Sequence, residues 1–164
     1  MLQAIVGQQI STKAAASVWL RLVELLGSDI SSESLSGFTR EEIQACGLSW
    51  RKVDYALGLA EAVKNGTLDF GLLEQADETQ AVKMITALKG FGPWSAEIYL
   101  MLAEGRADIC PSADLAIQIA YQRLKGLEVK PTAKELITFV EPWRPHRSAG
   151  CLFLWHLYGS TTLD

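Results

Sequence analysis

Only three cysteines occur in the 164 residues, Cys46, Cys110 and Cys151. They are odd in number, far apart and without CxxC spacing, which indicates neither a disulfide framework nor a zinc or iron–sulfur site. Burial as small apolar side chains is their expected role. No apolar run approaches the ~20 residues that a membrane span requires, and no charged-then-apolar leader opens the sequence. A soluble, intracellular protein with no membrane partner is therefore expected. Segments of period-two alternation rich in β-branched residues are missing too, so no strand is expected. Repeats and low-complexity linkers are absent, and the net charge of −4 is a poor footprint for a nucleic-acid binder.

What is present is a sizeable apolar complement, 49% of the residues, in a length suited to one domain or two small lobes sharing a core. Charge is unevenly spread. From Asp29 to Glu78 ten acids face four bases, leaving the other segments with a small positive balance. Between Tyr121 and Arg147, six bases (Arg123, Lys125, Lys130, Lys134, Arg144 and Arg147) outnumber Glu128, Glu135 and Glu141. Two readings stand: a modestly basic face, or an ordinary solvated helix surface.

Helical spacing recurs along the chain. Ala14, Ala15, Val18, Leu22, Val23 and Leu26 follow Ser11, a plausible N-cap, and Gly27 closes that helix. Gly7, Gln8 and Gln9 then fall at a break between two helical pieces, where glutamines can bond freed backbone groups. Thr39 and Glu42 form a capping box, Ser49 caps a longer helix through Val53, Leu57, Ala60 and Val63, and Asp69 and Asp77 open two more. Pro111-Ser112 restarts the chain after Gly105, Pro131-Thr132 opens a helix carrying Leu136, and the last helix follows Pro145. The expectation is an all-α protein of about eight to ten short helices.

The stretch from Leu88 to Asp114 joins a glycine turn to a lone carboxylate. Gly90 and Gly92 permit a positive φ or a close backbone approach, and Pro93 suits the first turn of a new helix. Backbone N–H groups at such a helix start favour an anion such as a phosphate, although a bare GxG also makes tight turns that bind nothing.

Four motifs, AIVGQQIS (4–11), LKGFGPWSAEIYL (88–100), PSADLAIQ (111–118) and EPWRPHRSAGCLFLW (141–155), together resemble the helix-hairpin-helix (HhH-GPD) DNA glycosylase superfamily, and within it the 3-methyladenine DNA glycosylase II branch. They occur in that family's order and approximate spacing over nearly the whole chain. The resemblance implies a single catalytic region over residues 1–164 with a two-lobed helical fold. One lobe would comprise about 28–110, including the hairpin at 80–103, and the other 1–27 with 111–164. The family's usual N-terminal segment is expected to be absent. The implied function is excision of alkylated purines from double-stranded DNA by a monomer that flips the nucleotide and hydrolyses the N-glycosidic bond. Its setting would be cytoplasmic, at a bacterial nucleoid, or nuclear in a eukaryote. The alternative is a non-catalytic helix-hairpin-helix protein that recognises damaged DNA.

On the family pattern Asp114 is the catalytic carboxylate; without the resemblance it would read as a favourable charge at a helix N-terminus. Trp94 and Trp155 match aromatic positions of the base pocket, where an electron-poor alkylated base could stack in part as a cation–π contact worth ~1–2 kcal/mol. Bifunctional relatives such as endonuclease III carry a lysine where this chain has Trp94, and an indole forms no Schiff base, so a monofunctional enzyme is expected. That branch also carries four cluster-binding cysteines which this sequence lacks, so no iron–sulfur cluster is expected, nor any required cofactor. The resemblance further implies DNA contacts by Gln8, Gln9, Lys89, Gly90, Phe91, Gly92 and Ser95, with Gln9 filling the gap left by the flipped nucleotide. It also implies a structural Na+ or K+ held by the carbonyls of Thr86, Leu88 and Phe91. Ile98 departs from the pattern, standing where one relative places a pocket tyrosine.

Overall fold

Short polar residues placed just ahead of apolar helical stretches set most of the helix starts. The Ser11, Ser49 and Asp77 side chains accept from the amides of Ala14, Lys52 and Gln80, and Asp69 accepts from Gly71 and Leu72. Thr39 with Glu42 and Thr132 with Glu135 make reciprocal capping boxes, the backbone amide of each threonine donating to the glutamate. In the computed structural model, which describes residues 1–27 and 29–160, the described residues form helices and turns without a strand. No helix among them is long and apolar enough to cross a membrane.

The chain divides into two units, Met1–Gly92 and Pro93–Asp164. The first contains α1 (Leu2–Gly7), α2 (Thr12–Leu26), α3 (Ser32–Ser36), α4 (Arg40–Ala45), α5 (Trp50–Lys64), α6 (Phe70–Gln75) and α7 (Glu78–Thr86). Val6, Val18, Leu22, Leu26, Leu35, Ile43, Val53 and Ala56 share one buried cluster. Residues 1–27 thus share a core with α3 to α5, which differs from the lobe partition expected from sequence, where they accompany 111–164. Lys52 fixes the end of α1 by donating from Nζ to the Val6 carbonyl at 2.7 Å.

The second unit contains α8 (Pro93–Leu102), α9 (Leu115–Lys125), α10 (Ala133–Phe139), a 3₁₀ turn (Glu141–Trp143) and α11 (Arg147–Ser160). α3 and the 3₁₀ turn are additions to the elements expected from sequence. α11 packs on α9, and Ala96, Leu100, Ile117, Ala120, Leu136, Cys151 and Leu154 are buried. Tyr121 stacks on Phe139 with centroids 5.7 Å apart and meets the Trp143 ring at 5.9 Å.

Polar bonds of long sequence separation hold the start of α11. Arg147 Nε donates to Asp108 Oδ1 at 2.7 Å and its Nη2 to the Asp108 carbonyl at 2.6 Å, while Arg144 reaches Asp108 Oδ2 at 2.6 Å. Hydrogen bonding from Arg147, opposed by burial, holds the Asp108 carboxyl below the usual carboxylate range. Arg123 lies over the Tyr158 ring and Lys130 donates to Gln118. Four of the six bases that from sequence could form a basic face are therefore engaged within the unit.

One glycine in α11 is required by contact. A Cβ at Gly150 would lie 2.3 Å from Cε3 of Trp143, inside any tolerable separation. Gly150→Ala is accordingly expected to destabilise the protein by about 1–3 kcal/mol through overpacking, read as a lower midpoint in urea denaturation.

Candidate active site

Asp114 is the N-cap of α9. Its backbone is extended (φ −70°, ψ 122°), and Oδ1 accepts from the Ile117 amide at 3.0 Å. Ser112 does not start the helix, although Pro111-Ser112 is where the sequence suggests a restart. Two indoles complete the carboxylate's surroundings. Trp94 Nε1, from the first turn of α8, donates to Oδ2 at 3.0 Å, and Trp155 Nε1, from α11, donates to Oδ1 at 3.0 Å.

Three donors on about four lone-pair sites leave one acceptor direction on Oδ2 for a further proton donor such as water. Both indole N–H groups are spent on the carboxylate, so what Trp94 and Trp155 can offer a ligand is their ring faces. Trp94 is 38% exposed and Trp155 half-buried. Ile98 lies one turn beyond Trp94 on the same side of α8.

The glycine turn belongs to the first unit and is built separately. After α7, Leu88 donates to the Ile85 carbonyl and Phe91 to the Leu88 carbonyl, each at 3.1 Å. Gly90 has φ +95°, and a Cβ there would fall 2.4 Å from the Tyr55 ring, so both conformation and contact demand glycine. Gly92 shows neither constraint: its φ is not in the positive range and a Cβ would meet nothing within 4 Å. Gln8 Nε2 donates to the Gly90 carbonyl at 2.9 Å.

These features coincide with a match between residues 2–145 and the family model described as the HhH-GPD superfamily base excision DNA repair protein. The chain belongs to the HhH-GPD superfamily. It is 29% identical over 158 residues to DNA-3-methyladenine glycosylase 1 of Schizosaccharomyces pombe, covering 94% of this chain and 69% of that relative. A solved DNA-3-methyladenine glycosidase from Bacillus halodurans matches with a TM-score of 0.87 and 33% identity, covering 99% of this chain and 76% of that one. A Schizosaccharomyces pombe 3-methyladenine DNA glycosylase in complex with abasic DNA matches with a TM-score of 0.86 and 29% identity, covering 94% and 76%. Against two further curated relatives the chain spans 56% and 54% of their length.

Within this HhH-GPD chain the residues implied from sequence fall into three groups. Asp114, Trp94 and Trp155 are brought together as one hydrogen-bonded set. Lys89 and Gly92 are exposed, Thr86 is the last residue of α7, and Leu88 and Phe91, both buried, lie on the turn, where they can offer backbone but little side chain. Gln9 is exposed with φ +56°, rare for a non-glycine residue, and its Oε1 accepts from Arg51 Nη2 at 3.2 Å. Ser95 is only 5% exposed, which leaves its side chain little access to a partner. Its position one residue after Trp94 turns it toward the interior of α8's packing.

Sequence reasoning passed over Arg51, Gln118 and Glu97. Glu97, one turn along α8 from Trp94, sits where burial pushes its carboxyl up to about 7, against the opposing pull of Arg147. From its ordinary value of 4.5 to about 7, the folded protein keeps a proton that the unfolded chain releases. The stability associated with this group is thus full below pH 4.5 and is lost as pH rises through 7. Glu97→Gln removes that loss. Relative to the parent, its stability is expected to improve by about 1–3 kcal/mol between pH 4.5 and pH 8, measured by urea melts at both pH values.

Proposed function

We propose that the chain is a monofunctional DNA glycosylase releasing alkylated purines, of the 3-methyladenine type, from double-stranded DNA in base excision repair. The observation that carries this is the Asp114 carboxylate, fixed by the Trp94 and Trp155 indoles and the Ile117 amide at 3.0 Å each, with an acceptor direction left on Oδ2. The names of the matched relatives, 3-methyladenine glycosylases in both sequence and structure, support the same class.

The chemistry needs little beyond that group. A purine alkylated at N3 or N7 carries positive charge and leaves readily, while the sugar develops oxocarbenium character that a nearby anion stabilises. As the bond from the sugar carbon to the base nitrogen breaks, its electron pair goes to the base, which departs neutral. Water, oriented on Asp114, bonds to that carbon, and its proton passes to the carboxylate and then to solvent. The flipped base would stack against the ring faces of Trp94 and Trp155, where a cationic purine gains ~1–2 kcal/mol from cation–π attraction. An indole at position 94 supplies no amine for a Schiff base, so the strand is left intact at the abasic site.

DNA would be held by the glycine turn through the backbone amides around Gly90 and Gly92, with Lys89 adding a phosphate contact. Gln9, set in its positive-φ conformation and steadied by Arg51, would enter the gap left by the flipped nucleotide. The carbonyls of Thr86, Leu88 and Phe91 are hard oxygen donors suited to Na+ or K+, and the Leu88 carbonyl keeps a second lone pair beyond its bond from Phe91. A cation held there would add positive charge to the phosphate grip.

Incubation with methylated duplex DNA, followed by chromatography of the released bases and then hot alkali, tests this reading. Free 3-methyladenine, unbroken strands before alkali and breaks after it are expected. Binding without base release would indicate a damage-recognition protein instead, and breaks before alkali would show lyase chemistry.

A further inference from the structure

The segment leading into Asp114 lies between α8 and α9 with no helix or strand of its own, and one residue, Gln118, holds it through both its backbone amide and its side chain. Gln118 lies in the first turn of α9 and is 6% exposed. Its backbone amide donates to the Asp114 carbonyl at 3.1 Å, and its side-chain Nε2 donates to the Ser112 carbonyl at 2.7 Å. The turns there are tight: the Ser112 amide bonds the Cys110 carbonyl at 2.7 Å and the Asp114 amide the Pro111 carbonyl at 2.9 Å. The remaining face of Gln118 is fixed as well, because Lys130 Nζ donates to its Oε1.

We propose that Gln118, oriented by Lys130, is a positioning residue that sets where the Asp114 carboxylate stands. The proposal rests on the glycosylase reading. An amide has one donor and one acceptor end. With the Lys130 ammonium against Oε1, a flipped amide would turn its N–H₂ to a cation and its oxygen to the Ser112 carbonyl, so only one orientation is favourable. Ser112 is itself buried, and without the Gln118 donor its carbonyl loses a partner that solvent cannot easily replace. The segment then relaxes by rotating that peptide, two residues ahead of Asp114. A carboxylate matched at 3.0 Å to two indoles on different helices does not tolerate such a shift, and a displacement of ~1 Å at reacting groups can cost about 100-fold in rate.

The test compares parent, Gln118→Leu, Lys130→Met and Lys130→Arg. Three readouts are taken: single-turnover base release from methylated duplex DNA with protein in excess, affinity for a duplex carrying a tetrahydrofuran abasic-site analogue, and circular dichroism. Gln118→Leu and Lys130→Met are expected to slow release by about 10-fold or more, with affinity within about twofold of the parent. Lys130→Arg, which keeps a cationic donor, is expected to recover most of the rate. Lys130 is only half-buried, so the Lys130 pair decides the matter should Gln118→Leu fail to fold. Release at the parent rate in folded Lys130→Met, a loss of affinity in proportion to the loss of rate, or no recovery in Lys130→Arg would overturn the proposal. If the parent itself releases no base, the glycosylase reading falls instead.

Discussion

The position of one carboxylate depends on three elements of the second unit at once. α9 supplies Asp114 and the Ile117 amide, α8 the Trp94 indole, and α11 the Trp155 indole, each donor 3.0 Å from a carboxylate oxygen. Directional bonds from separate helices act as a three-point fix. Each of those helices must therefore be placed by packing that is independent of the site, and the unit meets this demand through the α9–α11 contact and the Arg147–Asp108 bonds at the start of α11. The capping role of Asp114 and its proposed chemical role are aspects of one geometry, since starting α9 is what directs its side chain.

Around this centre, charge is managed by pairing or by neutralisation. Arg147 is buried but bonded to both the carboxylate and the carbonyl of Asp108, which meets the requirement that a buried charge have partners. Glu97 takes the other course, retaining its proton to about pH 7. Cys110 and Cys151 lie in the second unit and Cys46 in the first; all three are free and buried. In the first unit the analogous demand is steric, since the Tyr55 ring under Gly90 and the Gln8 amide on its carbonyl fix the turn from two directions.

Local physics was readable in the residues. Ser11, Thr39, Ser49, Asp77 and Thr132 cap helices because capping involves a side chain and amides two or three positions away. The all-α character followed from spacing alone, and the Asp114, Trp94 and Trp155 set from family motifs. Less legible was whatever depends on distant contact. α3 carries no such signal in its sequence, because Ser34 stands where a capping box usually has glutamate. The partner of Arg147, Asp108, lies 39 positions away, too distant for local spacing to reveal. Gln118 stood in plain view in PSADLAIQ, yet only the fold shows that its amide reaches back to Ser112. Gly92, expected to share the role of Gly90, proved unconstrained because Tyr55 packs under only one of them.

The central claim is that Asp114 performs the hydrolysis as well as capping a helix. The most direct measurement is single-turnover release of 3-methyladenine from methylated duplex DNA by Asp114→Asn beside the parent, with affinity for an abasic-analogue duplex measured on both. Asparagine still caps helices well, so the fold should persist, and release should fall by about 10³-fold or more with affinity changed by no more than a few-fold. Release by Asp114→Asn at a rate near that of the parent would contradict the account.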